Sequence, residues 1–404
     1  MPGAELTIAG RVRSLLGPDG VVETDRAGVP RVAPGTTEGC ALVLEAAARH
    51  GWRVRLVGGA RWAAADVPAD LALSTRQLTR VVRVSAPDLV ATVEAGIAWS
   101  DLRRALADHG TWLPCDPPGS DRSLGSVIAT GTAGPLRSGY GSIRDHLLGL
   151  TLITGDGRVV RPGGRVVKNV AGFDLTRLAA GSFGGFGLIT TVHLRLRSVP
   201  RADVTLVGTG QRDQLLQQAL AIRDAGDMPA ALELASPGAT GKGSWRLAVR
   251  LLGSEAAVTE ARRTVTGAAG TMEELAPGAG AEFWSALGAA TVRRPVTLRM
   301  GADPSGLADA LDLLTHHLDD ECVSATVCTG AVRWSGTAPA DRLRLLRAAA
   351  AQREMPVTVE RAPWDALSAL GHFGAYREGI GRLAQSLRRA FDPAGTLVIP
   401  AGEG

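Results

Sequence analysis

The residues that could do chemistry gather between Leu113 and Leu188, where glycine, serine and threonine alternate with short apolar runs. In order these are Pro114-Cys115-Asp116-Pro117-Pro118, Ser123-Leu124-Gly125-Ser126, Ala129-Thr130-Gly131, Gly141-Ser142-Ile143-Arg144-Asp145 and Lys168-Asn169-Val170-Ala171-Gly172-Phe173-Asp174. Gly181-Ser182-Phe183-Gly184 closes the set. A chain of this texture offers backbone N–H groups to a ligand. Glycine lets the main chain approach a phosphate or a planar ring, and successive N–H groups form an anion-binding concavity. Upstream, the apolar run Val54-Arg55-Leu56-Val57 passes directly into Gly58-Gly59-Ala60-Arg61, a second candidate cradle for pyrophosphate. Lys168 and Asn169 stand together in a chain with only two lysines and a single asparagine, which points to a position that needs those side chains.

Other chemistries find no foothold. Gly-Lys-Gly-Ser at 241–244 lacks the spacer of a nucleoside-triphosphate loop, and no helix pattern starts there. Gly181–Gly187 precedes a strand pattern, whereas a dinucleotide loop opens a helix. No Gly-x-Ser-x-Gly elbow and no His-Glu-x-x-His occurs among the seven histidines. His316 and His317 are helix neighbours that point apart, and His372 in its glycine-rich segment reads as structural. Four cysteines without short paired spacing suggest a reduced, cytoplasmic chain with neither a cluster nor a zinc site. A net charge of +4 over 404 residues, without a basic block, argues against nucleic acid. No apolar run reaches the length of a membrane span, and the first residues lack the pattern of a secretion signal.

The elements that must position these residues follow from periodicity. Helices are expected at Ile8–Leu16 and Thr37–His50, and from a Ser100-Asp101 cap to Gly110. Strands are expected near Val32, at Val54–Val57, Leu71–Leu73, Val81–Val84, Leu89–Glu94 and Leu188–Arg197. Ile143–Thr154 and Arg158–Arg161 flank Gly155-Asp156-Gly157 as a hairpin. After Pro200 the strand-like stretches 203–208, 230–235, 245–252, 296–300, 323–334 and 356–360 alternate with helical ones at 211–225, 255–268, 305–318 and 340–352. That mixture predicts an α+β cap on an antiparallel sheet, followed by a helix through Tyr376–Ala390. The expected domains are residues 1–200, 201–360 and 361–404, the last returning to the first.

Taken in order, the motifs resemble the FAD-binding domain of the vanillyl-alcohol oxidase (PCMH-type) superfamily, and more closely the E-subunit family of bacterial glycolate oxidases. The likeness is dense over 50–200, thin from 200 to 355, and returns at Phe391-Asp392-Pro393-Ala394-Gly395. It implies an α+β fold of two flavin-cradling α/β subdomains plus a cap, with FAD as cofactor. It places Gly58, Gly59 and Ala60 at the pyrophosphate. Pro117, Pro118, Ser123, Gly125, Ser126, Thr130 and Gly131 fall along the ribityl and phosphate path. Ser142 and Asp145 belong to the same signature, and Gly184–Ile189 edges the adenine and ring wall, with Ile189 offering backbone groups. Two departures stand out: Gly125-Ser126 replaces a frequent Gly-Gly pair, and Arg61 follows the first loop, where it could reach a phosphate as a bidentate donor.

The first loop has no His, so non-covalent FAD is expected, with Cys115 reading as a small buried thiol. The implied function is a FAD-binding subunit of a glycolate-oxidase-like complex that oxidises a 2-hydroxy acid such as glycolate. Its implied partners are a larger FAD-containing paralogous subunit and an iron–sulfur subunit; cytoplasmic placement could include contact with the membrane's inner face through them. Alternatives are a free-standing FAD-dependent 2-hydroxy acid dehydrogenase and a non-catalytic structural subunit. Such an oxidation needs a hydride acceptor, a base and a cation for the carboxylate. Arg299, on the expected strand Val296–Met300, is the candidate cation. No base is evident, because the family's metal-binding cap histidines have no counterpart.

Overall fold

The computed structural model describes residues 7–17, 20–24, 28–59, 67–119, 121–164, 174–226, 228–319, 322–374 and 379–399. Ala60, Arg61, Lys168, Asn169 and Tyr376 lie outside the described residues.

The N-terminal layer is a four-stranded sheet in the order Gly20–Thr24, Pro30–Pro34, Leu71–Ser74, Val54–Val57. Its first pair is antiparallel and the others are parallel. Parallel strands buried on both faces read as continuous apolar runs, and all four residues of Leu71–Ser74 are buried. Helix Thr37–His50 packs Val43, Leu44 and Ala47 against Val54, Leu71 and Leu73. Thr36 caps it by accepting from Gly39 N at 3.0 Å, and Gly51, left-handed at φ 68°, ends it.

The second layer is an antiparallel sheet in the order Val81–Ser85, Val90–Glu94, Leu188–Arg195, Leu147–Ile153, Val159–Val160. The Asp156-Gly157 turn joins the last two strands, with Gly157 at φ 86°. Residues 143–146, expected to be part of that strand, form a 3-10 turn instead. Ser142 and Asp145 cause this. Both the N–H and the hydroxyl of Ser142 donate to Asp145 Oδ2 at 2.8 Å, and so close the turn. The helix expected from a Ser100-Asp101 cap runs Trp99–Ala107 behind Ala98, with no side-chain cap.

The cap is an eight-stranded antiparallel sheet, ordered Glu273–Leu275, Ala202–Gly210, Trp245–Gly253, Ala231–Ala235, Cys322–Thr326, Ala331–Gly336, Val296–Gly301, Val357–Arg361. Helices Arg212–Asp224, Glu255–Ala269, Leu307–His317 and Ala340–Ala351 contribute to its main core, with Trp334 fully buried. The expected strand 323–334 is two strands separated by the turn at 327–330. Helix Pro277–Ala290 had no clear periodic signal, and the helical segment expected after residue 360 begins with Trp364–Leu370. The first is rich in Gly and Ala, and what fixes it is tertiary: Trp284 Nε1 donates to Thr205 Oγ1 at 2.9 Å.

Helix Ile380–Phe391 then brings the chain back. Asp392 accepts from Thr396 N at 2.8 Å and Leu397 N at 2.9 Å, bending the chain beside the first sheet. There Val54 N donates to Thr396 O at 2.7 Å and Val398 N to Val54 O at 2.9 Å.

Candidate functional site

Where the two N-terminal sheets meet the cap, a cleft opens. Gly58 and Gly59, at the end of strand Val54–Val57, line it together with Ser123, Gly125, Ser126 and Thr130. Gly184 and Ile189 form a further wall. The three stretches that carried the sequence argument therefore share one space.

Close approach explains the glycines. A Cβ on Gly58 would fall 2.1 Å from Ser123 Oγ, and that oxygen accepts from Ser126 N at 3.3 Å to cap helix Leu124–Thr130. Gly125 lies against Ala95, where a Cβ would sit 3.0 Å from the carbonyl oxygen, and its N–H donates to that carbonyl at 2.7 Å. Phe183 enters the cleft wall with φ 54°, a left-handed conformation that is costly for a bulky residue. Its ring stacks on His372 with centroids 4.2 Å apart.

Other proposed residues stand elsewhere. Pro117, Pro118, Gly131, Ser142 and Asp145 do not line the cleft. The prolines are buried; Gly131, at φ 60°, ends helix Leu124–Thr130 beside Gly181; Ser142 and Asp145 hold the turn described above. Burial pushes the Cys115 thiol well above its usual range.

Several residues at the site had no motif to reveal them. Arg122 is buried in the cleft wall, donating to Thr130 Oγ1 at 2.6 Å and Ser126 O at 3.2 Å. Burial pulls its guanidinium down to about 9. His372 also lines the cleft, and its Nδ1 lies 2.7 Å from Val359 O. A carbonyl only accepts, so Nδ1 carries the proton and the lone pair is on Nε2. Burial lowers the affinity of this ring for a second proton.

Beside the cleft is a smaller cavity. Residues 133–135 and Arg137 face Glu233, Ser324, Arg299 and Arg333 of the cap sheet across it. Arg299 is thus placed in this cavity and not among the residues lining the larger cleft. It sits directly opposite Arg333 on the neighbouring strand, a like-charge pairing that is unfavourable by itself. Glu360 resolves it. The register with strand Val296–Gly301 slips between Thr297 and Leu298, leaving Glu360 as the extra residue, and a bulge of this kind re-aims a side chain. Its carboxylate accepts from Arg299 Nε at 3.1 Å and from Arg333 Nε at 3.2 Å. Burial pushes Glu360 up, but Arg333, Arg299 and Arg122 outweigh it and hold the carboxyl below its ordinary value. Glu360 lines the larger cleft, so this carboxylate joins that wall to the two arginines of the smaller cavity.

Comparison with known proteins gives this geometry a context. Residues 30–163 match the FAD binding domain family described as FAD_binding_4. The chain is 40% identical over 142 residues to glycolate oxidase subunit GlcE of Escherichia coli, covering 35% of this chain and 39% of that protein. It is 31% identical over 209 residues to glycolate oxidase subunit GlcD of Bacillus subtilis, covering 50% and 44%. It is 38% identical over 130 residues to the mitochondrial D-lactate dehydrogenase [cytochrome] of Arabidopsis thaliana, covering 32% and 23%. The matches thus span less than half of each relative's length. Among solved structures, alkyldihydroxyacetonephosphate synthase superposes with a TM-score of 0.72 at 14% identity, covering 100% of this chain and 85% of that one, which establishes a shared α+β fold.

Residues 30–163 match an FAD binding domain, and the cleft fits that cofactor. The fit rests on the cleft wall of Gly58, Gly59, Ser123, Gly125 and Ser126, in which Gly59 is uncrowded, with the nearest atom to an added Cβ 3.9 Å away. Among the described residues no helix is long and apolar enough to cross a membrane.

Proposed function

We propose that the chain is the FAD-binding subunit of a glycolate-oxidase-like complex that converts a 2-hydroxy acid to a 2-oxo acid. The observation that supports it most is the shared cleft of Gly58-Gly59, Ser123–Thr130 and Gly184–Ile189. In this reading Gly58, Gly59 and Ala60 hold the pyrophosphate, with Arg61 as a further donor, and Ser123, Gly125, Ser126 and Thr130 line the path to the ring. Bound flavin supplies a hydride acceptor. Arg299, with Arg333, attracts the substrate carboxylate, and Glu360 fixes both guanidiniums in place. The FAD is non-covalent. A larger FAD-containing paralogous subunit and an iron–sulfur subunit pass the electrons onward, in the cytoplasm or at the inner face of a membrane.

The test is expression of the chain together with its genomic neighbours, followed by cofactor analysis. The expected result is a complex in which this chain holds one FAD that is released on denaturation. Colourless protein, or flavin still attached after denaturation, overturns the respective part of the reading. The arginine cavity favours a second reading, in which this chain is a free-standing FAD-dependent 2-hydroxy acid dehydrogenase. Reduction of an artificial acceptor by the isolated chain with glycolate or lactate would establish it, and inactivity of that chain beside an active complex would remove it.

A further inference from the structure

Three guanidiniums, those of Arg137, Arg299 and Arg333, meet in the smaller cavity. Arg299 and Arg333 divide one firmly ionised carboxylate, Glu360, between them. Arg137 reaches in from the opposite wall and makes no ion pair among the described residues. Burial makes its charge costly, and repulsion from Arg299 and Arg333 adds to that cost. A small anion in the cavity would relieve both. The cavity is far smaller than the cleft and suits a ligand of only a few heavy atoms.

A second acidic group complicates the picture. Glu233 lines the same cavity from strand Ala231–Ala235 and is 1% exposed. Its Oε2 accepts from Ser324 Oγ at 2.5 Å, while Oε1 is buried without a geometrically sound hydrogen bond among the described residues. The groups around it are mixed. Arg333 attracts its negative form, Thr326 supplies a hydroxyl, and Arg137 and Arg299 stand across the cavity. Asp116 and Cys328 both feel its charge from the FAD-domain side and from the turn at 327–330, respectively. Burial outweighs these attractions and pushes its carboxyl up to about 7.

An ionised Glu233 and a ligand carboxylate in one small space repel each other. With a proton on Glu233 the repulsion disappears, and the new O–H becomes a donor for the ligand. We propose that the smaller cavity is a binding site for a small monocarboxylate, held by Arg137 with Arg299 and Arg333, and that the anion enters together with one proton that resides on Glu233. The site deepens the reading above, on which it rests for choosing a 2-hydroxy acid over other small anions.

The sign of the pH effect follows. Below about 7 the free cavity already carries the proton and affinity is flat. Above it each bound anion must draw a proton from solution, so Kd rises up to about tenfold per pH unit.

The test is calorimetric titration of the purified full chain with 2-hydroxy-2-methylpropanoate, which has no hydrogen to lose from its 2-carbon and so cannot be oxidised there. Running it in buffers of different ionisation enthalpy counts protons. The expected result is close to one proton taken up per anion at pH 8 and close to none at pH 6. Glu233→Gln should bind with a pH-independent Kd and no proton uptake, and Arg137→Gln should bind at least ~10-fold more weakly at both pH values. Absence of binding, or pH-independent binding in the wild type, overturns the proposal. Uptake that persists in Glu233→Gln moves the proton to another group and overturns the assignment. The wild-type proton count decides even where a variant does not fold. Absorbance of the same sample separates the two readings: yellow protein that ignores the anion sinks this site alone, and colourless protein that binds it sinks the flavin assignment alone.

Discussion

The large cleft and the small cavity are linked through Glu360, yet they are built on opposite principles. In the cleft, charged side chains are turned onto the protein: Arg55 donates to Val67 O at 3.0 Å, Arg122 to Thr130, and Arg361 to Val292 O at 2.8 Å. Glycines and short polar residues leave the main chain as the recognising surface. In the small cavity the side chains do the recognising, and their charges do not balance within the protein. The difference indicates what each can hold. A backbone wall suits an extended ligand whose shape is read along its length, whereas clustered guanidiniums suit a compact anion. Glu360 lines the cleft and pairs with two arginines of the cavity, which makes it the place where one region can report on the other.

Breaking that shared residue gives the largest expected effect. Glu360→Ala strands Arg299 and Arg333 opposite each other in a buried setting, and should cost about 3–5 kcal/mol in denaturant unfolding. Because the folded carboxyl lies below its ordinary value, its stabilisation is complete above the unfolded pKa and is lost as pH falls through the folded one. The deficit of the variant should therefore shrink in acid, below about pH 4. A deficit that is constant with pH would mean that Glu360 acts by packing and not by charge.

The next largest effect isolates the cleft. Gly58→Ala displaces Ser123 Oγ from its capping position, so FAD affinity should fall roughly tenfold, about 1.4 kcal/mol. Anion binding in the small cavity should be unchanged. Equilibrium dialysis of flavin against the calorimetric titration separates the two, and a parallel loss of both would show that the regions are coupled through more than Glu360. The smallest effect is Ser123→Ala, which removes the cap of Leu124–Thr130 and should cost about 1 kcal/mol. In the double variant with Gly58→Ala the penalties should sum to less than their separate values, because the alanine at 58 no longer meets the hydroxyl.

Much of the cleft was legible in the sequence because its signals are local. A strand running into Gly58-Gly59 and Asp-Gly between two apolar runs each depend on a few consecutive residues. The same locality misled at Ile143–His146, where apolar residues suggested strand and the Ser142–Asp145 contact won. Pro117, Pro118 and Gly131 were legible as special positions, but their spacing could not say whether they face a ligand or the core.

The chain's own residue order determined the α+β alternation, the cap strands to within a few positions and the glycine-walled half of the site. Only the tertiary structure decided that Arg299 faces Arg333, that Arg137 arrives from the other side, and that Glu233, Glu360 and His372 matter. The reason is physical. A cap or a hairpin turn is settled by neighbours along the chain, whereas a charge cluster is settled by strand register. Here a one-residue bulge at Glu360 turns an ordinary acidic residue in a strand into the buried link between two sites.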